Sequence, residues 1–128
     1  MERYRFGKQA ERLAARFLLR RGYSILGQRV DYGFGEMDIV AVDHGRKPME
    51  VVIVEVKALR RVGPIRPESR VGALKLSRLR EASRDYLWRH RLRELRYRID
   101  VIAIDWPVGE LLPCVRHIRD RDRSTHER

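Results

Sequence analysis

Two short apolar stretches joined by a brief loop constrain the fold of this chain more than any other feature. Residues 35–43 and 51–57 are rich in β-branched and apolar side chains and are bounded by turn residues, so both are predicted to be strands. Residues 44–48 between them are typical of a turn and are few enough for an antiparallel hairpin. This hairpin is the predicted centre of a β-sheet.

The open end of the hairpin gathers four charged side chains. Alternate residues of a strand share a face, and counting back from the loop predicts that Asp38 faces Glu55 and that Glu36 faces Lys57. Directly opposed side chains have Cβ atoms about 4.5–5.5 Å apart. A slip of one residue in register would scatter the cluster. The other face of the hairpin is wholly apolar and is expected to be buried: Met37, Ile39, Ala41, Val52, Val54 and Val56.

Opposed carboxylates at this position favour a metal ion. Two like charges directly opposed on a sheet repel each other, and a divalent cation between Asp38 and Glu55 would remove the repulsion. Mg²⁺ is usually held by one or two carboxylates together with water and substrate phosphates, and a neighbouring lysine suits a charged oxygen or a water molecule. The pattern therefore favours metal-assisted phosphodiester hydrolysis. Ordinary surface ion pairs at the mouth of a hairpin remain the alternative on residues alone.

Length and composition favour one domain. The chain has 128 residues, and we expect a single domain over residues 1–118 and a charged, disordered tail over residues 119–128. No apolar run approaches the length of a membrane span, and residues 1–5 lack the apolar core of a secretory signal. One cysteine excludes an internal disulfide framework and a multi-cysteine zinc site. A cytoplasmic location without membrane association is therefore expected.

Basic residues are concentrated in one segment. The formal net charge is +11, and residues 60–98 hold 13 basic and four acidic side chains, mostly arginine among the basic ones. Guanidinium groups pair bidentately with phosphate, which favours a polyanionic partner; a solvated arginine-rich surface is the alternative. The candidate nucleic-acid-binding residues are Arg60, Arg61, Arg66, Arg70, Lys75 and Arg78.

The remaining pattern predicts helices packed on a mixed sheet in the order α-β-β-β-α-β-β. Glu11 lies at the rim of the apolar face of the first helix, and Lys75 lies in the apolar sector of the second. Asp100 is interpreted as a polar residue near the start of a buried strand. The elements beyond the hairpin are predicted as a helix over 3–21, a strand over 23–30, a loop over 58–67, a helix over 68–90 and strands over 97–105 and 111–118.

These residues together resemble a known nuclease superfamily. Gly35-Glu36-Met37-Asp38 followed by Glu55-Val56-Lys57, with Glu11 on the preceding helix, resembles the PD-(D/E)xK superfamily. Within it the chain looks most like the small bacterial YraN-like family, which is similar to archaeal Holliday junction resolvases. The similarity runs from about residue 7 to residue 118 and includes Lys75. It implies a restriction endonuclease-like α/β fold with a central mixed sheet of about five strands.

The resemblance also implies roles for individual residues. Asp38 and Glu55 would bind Mg²⁺ or Mn²⁺, with the Val56 carbonyl as a further ligand and Glu11 as an outer or second-metal ligand. Lys57 would be the catalytic lysine, with Glu36 and Lys75 in support. Two positions depart from the family pattern: Met37 replaces the usual proline, and Leu59 stands where the close family tends to carry a polar or basic residue.

Three functions compete at this point. The first is a Mg²⁺-dependent endonuclease acting on DNA, branched or structured DNA included; RNA stays open as a partner, and a homodimer would suit the cutting of two strands. The second is a non-catalytic nucleic-acid-binding module on the same fold. The third is a protein-interaction domain whose charge serves solubility.

Overall fold

The order of helices and strands agrees with the prediction. The computed structural model describes residues 2–61, 64, 67 and 71–120, and within them two α-helices and five strands follow one another as α-β-β-β-α-β-β. The elements are α1 (Glu2–Arg20), β1 (Ser24–Asp31), β2 (Glu36–Asp43), β3 (Glu50–Arg61), α2 (Ala73–Arg89), β4 (Arg96–Pro107) and β5 (Cys114–Ile118).

The strands of this described part form one mixed sheet. Their spatial order is β1-β2-β3-β4-β5, with β3 and β4 parallel and every other neighbouring pair antiparallel. Parallel neighbours need a crossover connection, and α2 lies in the connection between β3 and β4. The architecture is α/β and fits the restriction endonuclease-like fold that the resemblance implies.

Each face of the sheet is covered by one helix. On the α1 face, Ala10, Ala14 and Leu18 pack with side chains of β2, β3 and β4. On the α2 face, Leu79, Ala82 and Tyr86 pack with the alternate side chains of the same strands. Residues 98–105 of β4 are therefore buried without interruption, as expected for an interior strand covered on both faces.

The predicted register of the central hairpin is confirmed over part of its length. Asp43 pairs with Glu50, and the ladder continues in the predicted register as far as Ile39 and Val54, where it ends. Asp38 therefore lies just beyond the last ladder pair.

The predicted apolar face is wrong at Met37. Met37 packs on the α2 face together with Val40, whereas Ile39 packs on the α1 face. The two-residue alternation is thus broken at Asp38. From Asp38 back to Glu36, β2 has no ladder partners on β3 and pairs only with β1, so its side chains need not keep the orientation that the hairpin register sets.

Three further boundaries differ from the prediction by three residues or more. β5 begins at Cys114 and not at residue 111, because its ladder with β4 starts only at the pair Asp105–Cys114. β3 continues through residues 58–61, which were predicted to be loop, because the parallel partner β4 extends to Pro107 and supplies ladder partners. α2 begins at Ala73, after an extended Gly72 with ψ of 176°. Residues 68–70 of the predicted helix and 62–63 and 65–66 of the predicted loop lie outside the described residues.

None of the helices in the described ranges is long and apolar enough to cross a membrane. Most of the predicted tail, residues 121–128, lies outside the described residues. The backbone N–H of Asp120 donates to Asp100 Oδ1 at 3.0 Å, so the chain is still bound to β4 at this point.

Candidate active site

The site begins where the β2–β3 ladder ends. Val56 donates its backbone N–H to Asp38 Oδ2 at 2.8 Å, so the carboxylate of Asp38 occupies a place that a strand carbonyl would otherwise take. Val56 directly follows Glu55, which is only 3% exposed on the central strand β3. The bond therefore fixes the Asp38 carboxylate beside the residue that carries the second acid.

The electrostatics of Asp38 reflect this proximity. The pKa of Asp38 is raised from 3.8 to about 7, firstly by burial and secondly by the negative charge of Glu55. The hydrogen bond from Val56 N–H opposes the shift. Two half-buried or buried carboxyl groups so close cannot both be ionised without cost, and a bound cation removes that cost.

The two carboxylate oxygens of Glu55 differ in their contacts. Its Oε2 lies 3.5 Å from Lys75 Nζ and 3.7 Å from Lys57 Nζ. Its Oε1 is buried and has no hydrogen-bond partner among the described residues. A buried carboxylate oxygen without a partner costs free energy, and a ligand that accepts electron density from it would remove that cost.

Two lysines from different elements meet at Glu55. Lys57 lies on β3 and Lys75 on α2, and each side chain is 34% exposed, so each ammonium also reaches solvent. Burial alone would lower the pKa of Lys75, but the negative charge of Glu55 outweighs it, and the pKa is raised. Lys75 therefore stays charged at neutral pH beside this acid.

Glu11 lies near the pair but is engaged elsewhere. Arg29 donates from Nε to Glu11 Oε1 at 2.9 Å, and Arg29 Nη2 also lies 2.9 Å from the same oxygen. The charge of Glu11 nevertheless contributes to raising the pKa of Asp38. Within the described ranges, no three His, Cys, Asp or Glu side chains are arranged to hold a metal ion together. The acids that the structure brings together are thus the pair Asp38 and Glu55.

A cleft of about 700 Å³ opens beside Asp38. It runs between the first half of α1 and the end of β3, so Asp38 and Lys57 face it together with Glu11. Glu36 is exposed at the start of β2. The cleft is lined by Phe6, Gly7, Ala10, Glu11, Asp38, Val56, Lys57, Ala58, Leu59 and Arg60.

The predicted nucleic-acid-binding residues are only partly covered by the structure. The guanidinium of Arg60 lies over the ring of Trp106 at 4.9 Å, and that of Arg78 lies over the ring of Phe34 at 4.6 Å. Lys75 contacts Glu55, as described above. Of the other three residues, Arg66, Arg70 and the side chain of Arg61 lie outside what the structure describes.

Sequence reasoning missed the aromatic residues around the site. The Tyr32 hydroxyl is buried without a hydrogen-bond partner in the described part of the chain, and it lies close enough to Lys75 to affect its pKa. Phe34 and Trp106 each lie against an arginine. The glycine-rich bend at residues 33–35 was the available signal for Tyr32 and Phe34, because it marks a turn beside the acidic strand.

A second polar cluster lies at the other end of β2 and β3. Arg98 is fully buried and donates to both carboxylate oxygens of Asp100 at 3.0 and 3.2 Å. It also donates at 2.8–2.9 Å to three further groups: Asp43, Glu50 and the Tyr23 hydroxyl. One arginine of the basic segment is therefore structural and unavailable to a partner.

Asp100 is not simply the polar end of a strand. Burial by itself would raise the pKa of Asp100, but hydrogen bonds from His117 and Arg98 outweigh it, and the pKa is lowered. His117 Nε2 lies 2.7 Å from Asp100 Oδ2. This network joins β2, β3, β4 and β5 and is separate from the Asp38–Glu55 pair.

Comparison with known proteins places the chain in a family. Residues 10–104 match the family described as "Uncharacterised protein family UPF0102". The chain belongs to the UPF0102 family. The matched range contains Glu11, Asp38, Glu55 and Lys57, so the whole candidate site lies inside the part of the chain that defines this membership.

Individual UPF0102 relatives match most of the chain. A UPF0102 protein of Rhodopirellula baltica is 34% identical over 112 residues, which are 88% of this chain and 66% of the relative. One from Corynebacterium efficiens is 36% identical over 108 residues, 84% of this chain and 85% of the relative. One from Kosmotoga olearia is 41% identical over 98 residues, 77% of this chain and 80% of the relative.

Proposed function

We propose that this protein is a metal-dependent endonuclease that hydrolyses phosphodiester bonds in DNA. The observation that carries the proposal is the pair of half-buried Asp38 and buried Glu55, in which Asp38 is held by the N–H of Val56, the residue after Glu55. Among the described residues Glu55 Oε1 has no hydrogen-bond partner. The order of elements and the Asp38…Glu55-Val56-Lys57 pattern support placing the chain in the PD-(D/E)xK superfamily.

The donor set fits a hard divalent cation. Carboxylate oxygens are the ligands that Mg²⁺ and Mn²⁺ prefer, and Asp38 and Glu55 would hold the ion with the Val56 carbonyl as a further ligand. When bound, such an ion supplies Lewis acidity and neutralises charge on a phosphate. The raised pKa of Asp38 supports this assignment, because a site built for a cation holds excess negative charge when the cation is absent.

The lysines act from two sides of Glu55. Lys57 faces the cleft and reaches solvent, so its ammonium can hold a phosphate oxygen or orient a water molecule for attack. Lys75 contacts Glu55 Oε2 from α2 and helps to orient this carboxylate, so we propose it as a positioning residue. Glu11 acts from the wall of the cleft as an outer ligand once Arg29 releases it, and Glu36 supports the site from the exposed start of β2.

Arginines beside the cleft supply affinity for the nucleic acid. Arg60 lines the cleft, and Arg78 lies one helical turn after Lys75 on α2. Contacts between such side chains and phosphates release counterions and are independent of sequence. We propose DNA, branched forms included, as the substrate on this basis.

A cleavage assay tests the proposal. Labelled single-stranded, duplex, flap and four-way DNA and an RNA strand are incubated with Mg²⁺, Mn²⁺ or EDTA. Cleavage is expected with either metal and not with EDTA, and Asp38→Asn, Glu55→Gln and Lys57→Ala should each abolish it. Glu94→Gln, an exposed acid far along the chain from the site, is the control and should cut like the wild type. Cleavage that survives both Asp38→Asn and Lys57→Ala would refute the assigned roles.

A non-catalytic nucleic-acid-binding module is the second candidate. It is favoured by one observation: Glu55 Oε2 already lies near two ammonium groups, which offset its charge without a metal ion. This function predicts salt-dependent binding of DNA, no cleavage with any metal, and binding by Glu55→Gln equal to that of the wild type.

A further inference from the structure

The loop between β1 and β2 presents an aromatic ring to solvent. Phe34 is 65% exposed at its tip. The loop is a built turn: Gly33 N–H donates to Asp31 Oδ1 at 2.7 Å, and Tyr32 N–H donates to the carbonyl of Gly35 at 3.0 Å. Gly33 has a φ of 92° and Gly35 a φ of 151°, values that side chains rarely allow. The turn therefore holds Phe34 outward.

An arginine covers one face of this ring. The Arg78 guanidinium carbon lies 4.6 Å from the centroid of the Phe34 ring, within the range of a cation–π interaction. Leu74, four residues before Arg78 on the same side of α2, is also 65% exposed. The exposed fraction of Phe34 leaves room for a second planar group on the ring.

This pair is directly connected to the candidate site. Lys75, which contacts Glu55, precedes Arg78 by three residues, so the two cations are neighbours on one side of α2. In the loop between β1 and β2, Phe34 precedes Asp38 by four residues, at most about 14 Å of extended chain. A nucleic-acid strand with one phosphate at Asp38 and Glu55 would therefore place a base only a few nucleotides away at Phe34.

We propose that Phe34 and Arg78 stack an unpaired nucleobase, so that the site prefers strands with unpaired bases to continuous duplex. Aromatic and guanidinium planes stack on any base without regard to sequence. In a continuous duplex the faces of each base are already covered by its neighbours, and the ring has nothing to stack on. The inference rests on the proposed function only in placing a nucleic acid at the cleft.

The chain contains a matched control pair. Trp88 is 64% exposed, and the Arg93 guanidinium lies 4.6 Å from the centre of its ring. Trp88 is ten residues beyond Arg78 on α2, about 15 Å along the helix. If any exposed aromatic–arginine pair bound nucleobases, Trp88 would matter as much as Phe34.

Binding without cleavage tests the inference. The affinity of the full chain for short labelled single-stranded and duplex DNA is measured by fluorescence anisotropy in EDTA. Phe34→Ala is expected to weaken binding of the single strand by about 10-fold or more, and to leave duplex binding within about two-fold. Phe34→Leu, which keeps apolar bulk without a π face, should resemble Phe34→Ala, Phe34→Trp should retain affinity, and Trp88→Ala should bind like the wild type.

Several outcomes would overturn the inference. The first is a loss of affinity in Phe34→Ala that is equal for single-stranded and duplex DNA. The second is a loss of affinity in Trp88→Ala as large as that in Phe34→Ala. The third is an unchanged affinity in Phe34→Ala when its Tm shows that the variant is folded. Wild-type protein that binds no nucleic acid would overturn this inference and the nuclease proposal together. Binding that depends on Phe34, with no cleavage in the presence of any metal, would support this inference and refute only the nuclease proposal. Cleavage together with binding that does not depend on Phe34 would refute this inference and support the nuclease proposal.

Discussion

Asp38 accepts a hydrogen bond of 2.8 Å from the backbone N–H of Val56 at the point where the pairing of β2 with β3 ends. A side chain thus replaces a backbone acceptor at the end of a ladder. The replacement satisfies the N–H of Val56 and at the same time draws a carboxylate towards Glu55, which is buried. The local break in the sheet and the acidic pair are one feature.

The acidic pair should make stability depend on pH in metal-free protein. The pKa of Asp38 is 3.8 when unfolded and about 7 when folded. Between these values the folded state holds a proton that the unfolded state has released, so stability falls as pH rises from about 4 to about 7 and is constant above. Asp38→Asn should not lose stability over this pH range for this reason, because an amide does not titrate there.

The test compares Tm values in EDTA. The Tm of Asp38→Asn minus the Tm of the wild type is the quantity compared. This difference should be larger by at least about 4 °C at about pH 8 than at about pH 5. Glu36→Gln, a change at an exposed acid on the same strand, should show no such pH-dependent difference. A difference in Tm between Asp38→Asn and wild type that is the same at both pH values would contradict the prediction.

Divalent metal should stabilise the fold through the same pair. Mg²⁺ or Mn²⁺ at 100 times its Kd would add about 2.7 kcal/mol to the free energy of unfolding. We expect the Tm of the wild type to rise on titration with either metal at neutral pH, and the Tm of Asp38→Asn and Glu55→Gln to stay constant. Glu94→Gln, at an exposed acid outside the site, is the control that should respond as the wild type does. A full response in Asp38→Asn would place any metal elsewhere.

The two lysines at Glu55 should separate in function. Lys75→Ala removes an ammonium that competes with a metal ion for Glu55, so the Mg²⁺ concentration for half-maximal binding should fall while cleavage remains measurable. Lys57→Ala should lose cleavage by about 100-fold or more, because it removes the ammonium that faces the cleft directly beside Glu55. Metal titrations and single-turnover cleavage measure the two effects, with the exposed Arg84→Ala as control. Equal loss of cleavage in both lysine variants would reject the division of roles.

Glu11 and Arg29 allow a ligand role to be separated from a structural one. Their ion pair is partly exposed, with side chains 25% and 43% accessible, so breaking it should cost less than about 1 kcal/mol of stability. If Glu11 serves the site, Glu11→Gln lowers cleavage by about 10-fold or more, whereas Arg29→Gln breaks the same pair and keeps activity. Equal activity of the two variants would show that the carboxylate of Glu11 has no role in the reaction.

Arg98 should be indispensable to the fold. Arg98→Met leaves Asp43, Glu50 and Asp100 buried without their common donor, and we expect the free energy of unfolding to fall by about 3–5 kcal/mol. Urea unfolding measures this loss. Arg89→Ala breaks an exposed pair with Asp85 on α2 and should change stability by no more than about 0.5 kcal/mol. A loss in Arg98→Met as small as that in Arg89→Ala would mean that the buried network does not stabilise the protein.

Several features of the fold could be predicted because they are local. The alternation of residues in β2 and β3 and the short loop between them fixed the register from Asp43–Glu50 to Ile39–Val54. Helical spacing of apolar residues identified α1 and α2, and the near-continuous apolar run of β4 indicated an interior strand. Each of these signals lies within a few residues of the structure that it predicts.

The geometry of the site was decided by contacts between distant segments. The turn of β2 at Asp38, the ammonium of Lys75 against Glu55 and the arginine over Phe34 each depend on an element far away in the chain. The sequence by itself determined which acids and lysines the chain could bring to a site and the order of the elements that carry them. Only the tertiary structure decided that Glu11 pairs with Arg29, that Arg98 is buried and that Glu55 Oε1 has no hydrogen-bond partner in the described part of the chain. The reason is that burial and hydrogen-bond partners exist only once the sheet is closed between its two helices.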